Sequence, residues 1–184
     1  LEQLRDMGVE IVTRNDSKLA NDFEVKISDA VRLCREICSF ELRWILRQYR
    51  ETEKLSDELT IWVEMAEKLT LEDYRMALAT RAHMRQALAE VAPTTDAFIT
   101  LASVGPAPDI DFHADSGEAE YAFLTGDPAF NAATSALGAP AITLPKIAVN
   151  GMPLGVQVIG APHHDWELTN LAHWLDTEVA SLSI

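Results

Sequence analysis

One stretch constrains the chain more than any other: FNAATSALGAPAITLPKIAVNGMPLGVQVIG, residues 130–160. Asn150 and Gly151 stand between two apolar runs, Ala141–Val149 and residues 154–159. Both turn residues tolerate positive φ, so the runs are predicted to be the antiparallel strands of a hairpin. Gly138 and Pro140 stop a preceding helix, which opens at Pro128, and direct the chain into the first strand. Pro145 has no N–H to give to a ladder, so it ends full pairing or marks an edge. Gly155 allows another part of the backbone to come close. None of these residues is a good nucleophile or proton shuttle. The stretch reads as structural punctuation rather than as chemistry.

Upstream, the pattern changes to a period of 3.6. Ile27, Val31, Cys34, Cys38, Ile45 and Tyr49 recur at helical spacing, which predicts one long amphipathic helix over residues 24–50. Phe40 and Trp44 add a second stripe, so this helix is expected to pack on two sides. Ser56 is placed to cap a shorter helix through Leu69. Thr70 and Asp73 form a capping-box pair ahead of a third helix, Leu71–Val91. Residues 24–91 are therefore helical, and residues 92–184 mix strand, loop and helix. A short buried strand is predicted over residues 97–101, and a final helix capped by Asp165 turns Leu168, Leu171, Ala172 and Leu175 inward. The opening LEQLRDMGVEIV reads as the end of a helix stopped at Gly8, then a strand over residues 9–13. A chain that opens inside a helix is expected to be cut from something longer. The fold class is α/β: a mixed sheet of a few strands, including the C-terminal hairpin, flanked by long helices.

Charge and composition narrow the function. Hydrophobic residues make up 48% of the chain, enough for a sizeable core. The net charge of -14 repels phosphate backbones and argues against nucleic acid. No apolar run reaches the roughly 20 residues of a membrane-spanning helix, and no leader pattern opens the chain. The chain is read as soluble and cytoplasmic. Cys34 and Cys38 are four apart, so a disulfide between them closes almost no loop. A metal site needs two more ligands, and the adjacent His163 and His164 point in different directions. Asp109, Asp111, Asp115 and Glu118 with His113 form an acidic cluster without the fixed spacing of a calcium loop. It reads as a solvated loop. His83 reads as a surface or interface histidine, and Ser135 as a polar residue near a helix end. No metal or cofactor is expected.

The residues Phe130, Asn131, Gly138, Pro140, Ala141 and Pro145, then Gly151, Met152, Pro153, Gly155, Val156, Gln157, Ile159 and Gly160, resemble the C-terminal motif of the amidase signature family. The upstream TTDAFITLASVGPAP resembles the family's strand and proline loop, with Leu101 standing where the family usually has Pro. The resemblance covers essentially the whole chain and implies part of an α/β/α amidase fold. It also implies hydrolysis or transfer of carboxamide groups by a Ser–Ser–Lys triad. In that chemistry a neutral lysine acts through a bridging serine on a nucleophilic serine, and successive N–H groups of a glycine-rich loop hold the oxyanion.

This chain has eight glycines, none adjacent, and no Gly-Gly-Ser-Ser run. Lys18, Lys26, Lys54 and Lys68 sit among polar neighbours. Lys146 follows Pro145 without such a loop. No catalytic residue is therefore assigned. The chain reads as the C-terminal part of an amidase whose triad lies in a longer parent, and as inactive alone. Leu101, Ala102, Ser103, Phe130 and Asn131 are the expected pocket wall, by analogy with the family. The partner implied is a small amide substrate in the full-length parent. Faces left open by truncation are expected to self-associate or to pair with another subunit. The alternative is a stand-alone interaction module with an amidase-like framework and no activity.

Overall fold

The computed structural model describes residues 1–52, 54–107 and 127–184. The helical half runs α1 Glu2–Asp6, α2 Lys18–Ile27, α3 Ala30–Glu51, α4 Asp57–Lys68 and α5 Leu71–Val91. A short 3-10 turn, Ala92–Thr94, leads to β1 Phe98–Leu101. After it come α6 Ala129–Leu137, β2 Ala141–Val149, β3 Met152–Ile159, α7 Asp165–Glu178 and β4 Leu182–Ser183. The strands form one mixed sheet in the order β1-β3-β2-β4, with β4 parallel to β2 and the other pairs antiparallel. The acidic residues 109–118 lie outside the described residues.

The hairpin forms where its turn residues require it. Asn150 and Gly151 take φ of 51° and 80°, and Val149 pairs with Met152 across the turn. Positive φ at both central residues matches the right-handed twist of the flanking strands. Gly138 closes α6 in the left-handed region, at φ 64°. The register of β2 on β3 shifts between Leu144 and Ile147. Pro145 and Lys146 thus oppose Gly155 alone, a bulge that absorbs the missing proline N–H. The bulge also directs Lys146 onto the C-terminal end of α7. Its Nζ donates to the Asp176 carbonyl at 2.6 Å and pairs with the Asp176 carboxylate at 2.9 Å.

Two hydrophobic cores lie on opposite faces of the sheet. Successive strand residues point to opposite faces, so Phe98 joins one core while Ile142, Leu144 and Val158 join the other. The larger core gathers Phe23, Leu33, Ile37, Met84, Leu88 and Leu137 from α2, α3, α5 and α6. The smaller sets Leu4 of α1 and Leu168 and Leu175 of α7 against Val158. α5 starts as its sequence predicts: the Thr70 hydroxyl accepts from the Asp73 N–H at 3.1 Å, and Asp73 accepts in return from the Thr70 N–H at 2.8 Å. Bonds from the Thr70 hydroxyl and backbone hold the Asp73 carboxyl below its usual range.

Three expectations are corrected. The helix predicted over residues 24–50 is two helices, broken at Ser28 and Asp29. The Ser28 hydroxyl donates to the Val25 carbonyl at 2.8 Å, and short polar side chains compete in this way with helical bonding. The break lets α2 lie on α5 while α3 continues past α4 and α6. Residues 9–13 form no strand. Val9 and Ile11 still pack into the smaller core, but the segment has no place in the ladder order of the sheet. Asp165 is the first residue inside α7 rather than its cap; His164 precedes it, with no side-chain cap bond.

Candidate functional site

Two residues of the sequence motif, Asn131 and Gln157, meet at the N-terminal end of α6. Gln157 Nε2 donates to Asn131 Oδ1 at 3.1 Å, joining α6 to the sheet across 26 residues. Gln157 is 5% exposed and its Oε1 is buried without a hydrogen-bond partner. It sits in the middle of β3, opposite Thr100 on β1 and Thr143 on β2. Two residues along β3, on the same face, Gly155 leaves no room for a side chain: a Cβ placed there would lie 2.4 Å from Thr143 Cγ2 and 2.9 Å from Ala102 Cβ. The Ala102 N–H donates to the Gly155 carbonyl at 2.9 Å and fixes this approach. The result is a floor of small and hydroxylated residues (Gly155, Ala102, Thr100, Thr143) beside Gln157, whose partner Asn131 is exposed.

The expected wall divides. Ala102 and Asn131 belong to this floor and its rim. Leu101 pairs with Val156 and by the alternation of the pleat points to the other face. Ser103 lies beyond β1, its hydroxyl donating to the Gly105 carbonyl at 2.7 Å. Phe130 is half-buried at the start of α6. Thr100, Thr143 and the pairing role of Gln157 are added by the structure. A glutamine inside the apolar run 154–159 is the signal that points to Gln157, because a buried polar side chain calls for a partner.

The other residues singled out lie elsewhere. The Cys34 thiol donates to the Ala132 carbonyl at 3.2 Å, and burial pushes both cysteine thiols up, away from thiolate chemistry. His83 and Ser135 are exposed on α5 and α6. Lys18, Lys26 and Lys146 pair with Asp22, Glu90 and Asp176. Among the described residues no hydrogen bond joins a lysine to a serine, and no cluster of three or more metal-ligating side chains forms. A concavity of about 490 Å³ lies at the other end of α6. It is lined by Arg85, Gly138, Pro140, Pro162, His163 and Asp165. There the Arg85 Nε donates to the Ala136 carbonyl at 3.1 Å and closes the helix end. No helix among the described residues is long and apolar enough to cross a membrane.

A mixed sheet with helices against both faces, an antiparallel hairpin at its centre and a polar strand face bonded to a helix start define an α/β framework. The chain belongs to the amidase family: the family model described as Amidase matches residues 2–169. It is 29% identical over 105 residues to a glutamyl-tRNA(Gln) amidotransferase subunit of Saccharophagus degradans, a match over 57% of this chain and 21% of that protein. Among solved structures, an amidase superposes with a TM-score of 0.70 at 27% identity, covering 82% of this chain and 35% of the other. A 6-aminohexanoate cyclic dimer hydrolase complexed with substrate shares the fold, with a TM-score of 0.66 at 19% identity over 95% of this chain and 39% of that one. The chain thus spans well under half the length of each of these relatives.

Proposed function

We propose that this polypeptide is the C-terminal part of an amidase and supplies pocket wall and bracing, while the reacting groups belong to the rest of a longer enzyme. The full-length enzyme would hydrolyse the C–N bond of a small amide by the Ser–Ser–Lys route. Its lysine acts through one serine to activate the other, and backbone N–H groups hold the tetrahedral oxyanion. One observation carries the reading: the family match runs through almost the whole chain, yet this sequence has neither adjacent glycines nor a serine–lysine pair set beside them. The contribution of this part is the floor around Gly155 with Ala102 and Asn131, small enough to admit a substrate group.

The same reading implies pairing surfaces on the helical half. Leu42, Ile45 and Tyr49 repeat at helical spacing along α3 and are 42%, 53% and 51% exposed. Such a stripe favours contact with a second subunit or with the remainder of the enzyme.

The test is turnover of a simple aliphatic or aryl amide by the pure 184-residue chain and by the full-length enzyme. The expected outcome is hydrolysis by the full-length enzyme only. Turnover by the short chain, abolished by a serine-directed inhibitor, would defeat the proposal.

A further inference from the structure

We propose that Asn131 is a specificity-determining residue of the amide pocket, presenting its side-chain NH₂ as a donor to a second carbonyl or carboxylate oxygen of the substrate; this rests on the amidase reading above. The inference starts from the hydrogen bond that holds the asparagine. Gln157 Nε2 donates to Asn131 Oδ1 at 3.1 Å. With its carbonyl engaged inward, a side-chain amide has its two N–H groups left to offer. Asn131 is exposed and tied to Gln157, which shares its sheet face with Gly155, so those donors are turned to the solvent side. Reversing both amides would move the Gln157 NH₂ into the buried position where its Oε1 now stands without a donor, and two buried protons there would each need an acceptor. Buried N–H groups without acceptors are rarer than carbonyls short of a donor.

The chemistry that fits the rim follows. An oxygen acceptor, neutral or anionic, completes the Asn131 amide. An ammonium or N–H group there sets donor against donor and leaves both without partners. The small floor beneath adds room without adding charge. Gln157 acts through Asn131 and is a positioning residue: it fixes which end of the asparagine amide faces outward.

The test compares two neutral substrates on the full-length enzyme, an amide bearing a second, ketone carbonyl and the amide in which that ketone carbonyl is replaced by methylene. The expected wild-type kcat/KM ratio favours the keto-amide about tenfold or more, as a site built to hydrogen-bond a group discriminates against its absence. Asn131→Asp and Asn131→Leu should bring that ratio to near unity, mainly through KM. Gln157→Glu should do the same, because a carboxylate draws the asparagine NH₂ inward. Equal losses on both substrates, with the ratio unchanged, would reduce the pair to a structural tie and overturn the proposal. A second readout needs no hydrolysis. In side-chain amide NMR a coupling across the hydrogen bond should join Gln157 Nε2 to the Asn131 carbonyl carbon, and a coupling from Asn131 Nδ2 to the Gln157 carbonyl carbon would overturn the assignment. A wild-type enzyme inactive on every amide would instead defeat the amidase reading, with the coupling measurement still deciding the orientation of Asn131.

Discussion

Gly155→Ala is expected to lower the stability of the protein by about 1–3 kcal/mol, the range for forcing extra volume into a packed site. The added methyl would fall 2.4 Å from Thr143 Cγ2 and 2.9 Å from Ala102 Cβ, both closer than real carbon atoms come. Thr143 can turn its side chain aside. The Ala102 Cβ moves only with its backbone, and that backbone is tied to Gly155 by the 2.9 Å bond from the Ala102 N–H. The strain therefore passes into the pairing of β1 with β3, the join that carries the candidate floor. Equilibrium urea unfolding should show a lower midpoint at unchanged slope. Thr143→Ser, which removes the clashing methyl, should recover part of the loss in the double variant, as neighbouring sites couple. An alanine variant as stable as the wild type would mean that the strands do not approach as described.

The second large effect is expected at Leu88. It is fully buried on α5, in the core shared with Leu33, Met84 and Leu137. Truncation to alanine removes apolar contact and leaves a cavity that its helical neighbours close only in part, at a cost of about 2–5 kcal/mol. Met76 lies on the same helix but is 59% exposed. Met76→Ala should therefore stay within about 0.5 kcal/mol of the wild type. The comparison keeps helix propensity nearly constant and isolates burial, since leucine and methionine rank together in helices. Equal losses for the two variants would place the core elsewhere.

The features legible in the sequence are those decided by a few adjacent residues. The Asn150-Gly151 turn, the left-handed Gly138, the Thr70–Asp73 box and both ends of α5 depend on local φ, capping and periodicity, and the structure has them where the sequence predicts them. The expectations that fail depend on distant parts of the chain. Residues 9–13 have the alternation of a strand, yet strand formation needs a ladder partner that no local pattern supplies. Ser28 and Asp29 break an apolar periodicity that continues unchanged across them. The site divides in the same way. The motif residues are identifiable singly, but the contact of Asn131 with Gln157 spans 26 residues and emerges only from the packing of α6 on the sheet. Leu101 and Ala102, adjacent in sequence, are sent to opposite faces by the pleat.

The central claim is that this part of the molecule frames the reaction without performing it. A serine-reactive fluorophosphonate probe tests that claim on the full-length enzyme, with the labelled peptide located by proteolysis and mass spectrometry. The account predicts label on a serine outside these 184 residues. Label on Ser103, Ser135 or any other serine within them would contradict it.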